Sequence, residues 1–167
     1  MQIRVLKSWL SITDGTDEQH QHDKVEGTCQ WIDDREEFQE WRDSASAFYR
    51  STQDEASRNK PSIIWVHANP GTGKTILASH VVSEIQKLNF ECAYYYFHIG
   101  NKTSRSLGEL LRSIAFQMAL TNGAVRHSLV QLCQDGSTFD IDDDRSIWTK
   151  VFSKGIFRVR ILPGDRN

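Results

Sequence analysis

The sequence predicts an α/β fold built on a βαβ unit with a parallel sheet, and three observations predict it. The run "IIWV" inside Ser62–His67 is apolar throughout, as a strand buried on both faces should be. A glycine-rich turn follows and opens into "KTILASHVVSEIQKL", where Leu77, Val81, Ile85 and Leu88 recur at helical spacing. Then "ECAYYYFH", residues 91–98, is short and aromatic-rich, which reads as a second strand. Strand, long helix and strand imply a right-handed crossover between parallel strands.

The other elements follow in chain order. Residues 11–28, "SITDGTDEQHQHDKVEGT", are polar and of mixed charge, and read as a linker. "WIDDREEFQEWRDS" predicts a short helix with Asp33 or Asp34 as cap, acidic residues in the first turn, and Phe38 and Trp41 on one face. Residues 43–61 turn polar again before the first strand. After the second strand, "GNKTSR" is loop. "SLGELLRSIAFQMAL" is a helix with Ser106 and Glu109 at capping-box spacing and an apolar face of Leu107, Leu110, Leu111, Ile114 and Met118. "AVRHSLVQLCQ" is a further helix. "DDDRSIWTKVFSKG" is another, with Asp144 as cap, Ile147, Trp148, Val151 and Phe152 inward, and Gly155 as stop. The tail "IFRVRILPGDRN" alternates briefly and ends in a turn.

Composition narrows the function. The chain has 167 residues, enough for one domain with its own core, and is 38% hydrophobic and 25% charged. A net charge of −2 gives no reason to expect nucleic acid or an anionic membrane as partner. No apolar run approaches the roughly 20 residues that span a bilayer, and "MQIRVLKSWLSITDG" lacks the features of a signal peptide. Cys29, Cys92 and Cys133 stand far apart and form neither a metal-ligand pair nor a disulfide framework. The expected setting is reducing and cytoplasmic.

The chemistry lies in "HANPGTGKT", residues 67–75. A loop binds a nucleotide triphosphate by pointing several backbone N–H groups at its phosphate oxygens, at a helix N-terminus where the macrodipole helps. Gly71 and Gly73 allow close approach and positive φ. Lys74 is expected to reach the β- and γ-phosphates, and the Thr75 hydroxyl to ligate Mg²⁺. The expected cofactor-binding set is Ala68, Asn69, Pro70, Gly71, Thr72, Gly73, Lys74, Thr75 and Ile76, with ATP or ADP and Mg²⁺ as ligands and Thr75 as the metal contact. No catalytic residue is assigned. Ala68 stands where the strict pattern has its first glycine. A positive φ there would cost about 1 kcal/mol, and any other φ almost nothing. The competing reading is a glycine turn that joins strand to helix and holds no ligand.

Other features carry less. "FDIDDD", residues 139–144, lacks the run of about four apolar residues that a Mg²⁺-binding strand needs before its carboxylate, so it reads as a solvated loop capping the next helix. His20 and His22 are only two ligands in a polar linker. "AYYYF" is better explained as strand core than as a base-stacking platform. His67 stands beside the loop, where a structural role competes with a phosphate contact.

Taken together, these stretches resemble the NACHT-type P-loop NTPases of the STAND class, and among them the filamentous-fungal, NLR-like group whose nucleotide module is also described as nephrocystin-like. "VLKS" followed by "VEGTCQWI" is similar to the linker before that module, and "FQEW" follows as in the family. "IIWVHANPGTGKTILASHVV" resembles the Walker A strand, loop and helix. "AYYYFHIGNKTSRSLGELLRSIAFQMA" resembles the second strand and following helix, and "IWTKVFSKGIFRVR" the segment before the Walker B strand. The resemblance implies residues 1–50 as linker and short helix, and 51–167 as the N-terminal portion of the nucleotide module of a signalling switch set by ATP or ADP. It also implies that the chain is truncated before the Walker B acids, as a fragment, an excised portion or a degenerate paralogue. Little or no hydrolysis by this chain alone is then expected, whether it counts as an enzyme stays open, and its apolar strand edges would favour self-association or a partner NTPase chain. Two other readings stand beside this one: a small P-loop kinase, and an interaction module whose loop no longer binds nucleotide.

Overall fold

A computed structural model of the chain describes residues 1–12, 27–50, 63–88, 91–97 and 106–159. The chain divides into two compact units, Met1–His20 with Glu91–Ile161, and Gln21–Phe90 with Leu162–Asn167. His20, His22, the loop "GNKTSR", most of the polar stretch 43–61 and the tail after Val159 lie outside the described residues.

The first unit is built helix on helix. Helix α1 (Gln2–Trp9) packs against α4 (Leu107–Thr121) and α5 (Gly123–Gln134). Helix α6 (Asp144–Ile147) widens into a π-helical turn over Trp148–Ser153 and is followed by a 3₁₀ turn at Ile156–Arg158. Leu6, Leu10, Ala115, Ala119, Val125, Leu129, Ile147 and Val151 form its solvent-free centre. The helix periods and caps explain these elements. The Ser106 hydroxyl accepts the Glu109 N–H at 3.0 Å, so the capping position read from the sequence holds. Asn122 joins α4 to α5 and caps the latter, its Oδ1 accepting from Ala124 and Val125. The α6 cap is Asp143, one residue before the expected Asp144. Ile147, Val151 and Phe152 point inward as expected, whereas Trp148 is 46% exposed.

Helix α1 is anchored in this core although residues 1–10 show only a short apolar pattern. Trp9 donates its indole N–H to the Ser137 carbonyl at 2.8 Å and meets Phe139 edge-on at 5.1 Å. Arg112 of α4 donates to the carbonyls of Leu10 and Ser11, both at 3.0 Å, and so caps the end of α1.

The second unit holds a 3₁₀ turn at Gln30–Ile32, α2 (Glu36–Arg50) and α3 (Lys74–Lys87). Ile32, Phe38 and Leu77 form a small core with Cys29, Trp41, Ile64 and Val81 at its margin. The expected inward faces of α2 and α3 agree with this, except that Leu88 is exposed.

The expected α/β fold, a partial P-loop NTPase with a parallel sheet, is not what the structure shows. Among the described residues there is no strand ladder, and the architecture is helical. Residues 63–69 and 91–97 run without regular secondary structure, and they belong to different units. An apolar run favours an extended backbone, but a sheet also needs a neighbour in register. At Tyr94 that neighbour is replaced by a side chain: Gln117 of α4 accepts the Tyr94 N–H at 3.1 Å and donates to the Tyr94 carbonyl at 2.9 Å. In the other segment Ile63 is 79% and Trp65 83% exposed, the reverse of a strand covered on both faces.

Candidate nucleotide-binding loop

Residues 68–76 lie within the second unit, between the uncoiled segment 63–69 and the first turn of α3. Gly71 and Gly73 have φ of +80° and +85°, and a Cβ on either would meet nothing within 4 Å. Backbone conformation, not space, is therefore what requires glycine at these two positions. Ala68 is not among the residues with positive φ. The alanine in place of the first glycine thus carries no left-handed strain.

Lys74 is the first residue of α3, and its ammonium turns back over the loop. Nζ donates to the Ala68 carbonyl at 2.8 Å and to the Asn69 carbonyl at 2.7 Å. The Thr72 hydroxyl donates to the same Asn69 carbonyl at 2.8 Å. Pro70 and Gly71 form the turn between these anchors. Gly73 caps α3 with no side-chain acceptor, and the first helical acceptor contact is Leu77 N–H to Gly73 O at 2.9 Å. The opening N–H groups of α3 thus have no capping side chain and point out of the helix end, as helix starts do. Thr75 is exposed in this first turn, and Ile76 is half-buried. All nine predicted site residues therefore fall on one continuous turn and helix start, with one cation, the exposed hydroxyls of Thr72 and Thr75, and a set of N–H donors. A donor set of this kind suits an anion. His67 is exposed at the loop's entrance.

Sequence reasoning missed what holds α3 from behind. His80 is 2% exposed, and its Nε2 lies 2.9 Å from Asp33 Oδ2, just after the 3₁₀ turn. The Asp33 carbonyl accepts Gln39 Nε2 at 2.8 Å, which ties that turn to α2. The sequence holds one local trace, His80 three residues after Leu77 on the stripe that also carries Val81, but no signal that pairs it with Asp33.

The first unit holds a second polar cluster, apart from the loop. The Tyr95 hydroxyl is shut off from solvent and faces the buried Glu109 without a hydrogen bond of normal geometry. Burial first, and then the Glu109 charge, push the Tyr95 phenol up to about 12. Burial also raises the Cys92 thiol. The aromatic run packs as same-side pairs, Tyr94 with Tyr96 and Tyr95 with Phe97, but it is not the strand core expected: residues 91–97 form no strand and Phe97 is 57% exposed. The "FDIDDD" stretch is a capping loop, with Asp140 Oδ1 accepting from Asp142 and Asp143 capping α6.

Residues 27–162 match the family model described as nephrocystin 3, N-terminal. The chain belongs to the nephrocystin-3 N-terminal family. The match takes in both the loop and the Asp33–His80 contact behind it. No curated protein and no solved structure matches the chain. No helix among the described residues is long and apolar enough to cross a membrane.

Proposed function

We propose that residues 68–76 bind the phosphates of ATP or ADP together with Mg²⁺, and that the bound nucleotide sets the state of a NACHT-type switch of the STAND class in the cytoplasm. The observation that carries this reading is the Lys74 ammonium, held over a turn of two left-handed glycines by the carbonyls of Ala68 and Asn69. A lysine at the first position of a helix gains nothing there from the macrodipole, which disfavours positive charge at that end. An anion reverses the balance. Phosphate oxygens would replace the two carbonyls as partners of Nζ, in charge-assisted bonds roughly twice as strong. The Thr75 hydroxyl would contact Mg²⁺, and the opening N–H groups of α3 would receive the remaining phosphate oxygens.

The test is titration of the full chain with a fluorescent ATP or ADP analogue, with and without Mg²⁺. Lys74→Ala is expected to weaken binding by at least about tenfold, the loss of one charge-assisted contact set. Equal affinity in wild type and Lys74→Ala would overturn the proposal.

A further inference from the structure

We propose that residues 29–41 form a strap on α3 whose docking and nucleotide binding at the loop strengthen each other, an inference that rests on the nucleotide-binding reading above. The contacts converge on the helix that carries Lys74 and Thr75. Leu77 lies one turn or less beyond those residues and packs with Ile32 and Phe38. His80, in the next turn, reaches Asp33 at 2.9 Å while itself 2% exposed. Gln39 holds the Asp33 carbonyl, so the 3₁₀ turn and the start of α2 move as one piece. An apolar anchor and a polar anchor from the same short segment therefore fix the first two turns of α3.

Release of the strap would expose Leu77 and take Asp33 from His80. The start of α3 would then lose both anchors, and with them the fixed geometry of Gly71, Gly73 and Lys74. A ligand that needs this geometry binds the strapped form more tightly than the released one. By linkage, the ligand must then hold the strap down by the same factor. This makes Asp33 a positioning residue: it touches no phosphate, and acts through His80 and α3.

Hydrogen exchange of the full chain with and without MgATP tests the coupling. MgATP is expected to slow exchange across residues 29–41 in wild type and to leave it unchanged in Lys74→Ala. Asp33→Asn is expected to weaken binding of a fluorescent ATP analogue at least ~fivefold, the low end of measured coupling between sites, with Asp33→Glu recovering part of the loss. Because the exchange measurement uses the wild-type chain, the coupling can be refuted even if Asp33→Asn fails to fold. Binding of MgATP by wild type with no change in exchange over 29–41 would overturn the strap and leave the loop assignment standing. No binding of MgATP by wild type would overturn the loop assignment and the strap with it.

Discussion

Replacing one glycine at a time separates a phosphate-binding turn from an ordinary connector. At Gly73, φ is +85° and the space around a Cβ is empty. Alanine there meets no atom, so its whole cost is the left-handed conformation, about 1–2 kcal/mol. The chain can bear that strain or rotate the peptide out of it. Rotation would re-aim the N–H groups at the start of α3, so either response costs nucleotide affinity or stability. Gly73→Ala is therefore expected to lose about 1 kcal/mol of stability, about tenfold in nucleotide affinity, or a share of each. Gly71→Ala, at φ +80°, should behave alike. Ala68→Gly is the informative control. Ala68 has no positive φ to relieve, and the carbonyl that receives Lys74 remains. Restoring the strict pattern should leave affinity within about twofold and lower stability by about 0.4–1 kcal/mol, through the added freedom of the unfolded chain. Fluorescent-nucleotide titration and urea denaturation would measure both quantities. Unchanged melting and binding in Gly73→Ala, or a tenfold gain in affinity for Ala68→Gly, would refute the reasoning.

Two further perturbations address the helical unit. Gly155 is buried at φ −96°, and a Cβ there would run into the Val151 carbonyl and come 2.7 Å from Leu129 Cδ2. Gly155→Ala should thus cost about 1–3 kcal/mol by overpacking; a urea midpoint equal to wild type would show that the π-helical turn yields freely. The Tyr95 phenol, raised to about 12, ionises later in the folded chain than in the unfolded one. Its contribution is therefore complete below the ordinary value near 10 and is lost as pH rises through about 12. Tyr95→Phe should flatten the fall of stability over that window, and at neutral pH be at least as stable as wild type, since a buried hydroxyl without a partner is removed. Equal alkaline slopes for the two proteins would count against this.

The helices were legible because their signals are local. Ser106 caps α4 three residues before Glu109, and the apolar stripes of α2, α3 and α4 recur at the spacing that covers them, except at their ends, where Leu88 and Leu107 are exposed. Helix α1 was not read as a helix. Ile3, Leu6 and Leu10 have the right spacing, but Met1 offers no side-chain cap and eight residues are too few to stand alone. What forms α1 is tertiary: the buried centre around Leu6 and Leu10, and the grip of Arg112. Gly155, expected as a helix stop, does follow the helical run that ends at Ser153, and it is also a close-packing glycine, a role that depends on Leu129 in another helix. The sheet failed for the same reason in reverse. "IIWV" and "AYYYF" specify the kind of backbone, while pairing depends on which groups reach their N–H and C=O. For Tyr94 that group is an amide side chain 23 residues away. Nothing local to residues 91–97 announces Gln117.

The candidate loop could be named residue by residue from the sequence, and the structure explains why one departure from the strict pattern carries no cost in backbone strain. Two glycines are required by positive φ, and the alanine stands where φ is not positive. A pattern of residue types records both kinds of position alike; only the dihedral angles separate a glycine that the backbone needs from one it can lose. The support behind the loop was not legible, because its parts lie far apart: Asp33 and His80 are separated by 47 residues and each is unremarkable in its own neighbourhood. His80 reads as one polar residue on an apolar stripe, and Asp33 as a candidate helix cap. Placed together, they become a part-buried contact, with His80 only 2% exposed and the Asp33 side chain 32% exposed. The residues that would touch a nucleotide are thus contiguous and readable, whereas the residues that hold them in position are recoverable only from the fold. If the two proposals hold, a variant search confined to residues 68–76 would miss Asp33 and the rest of the strap.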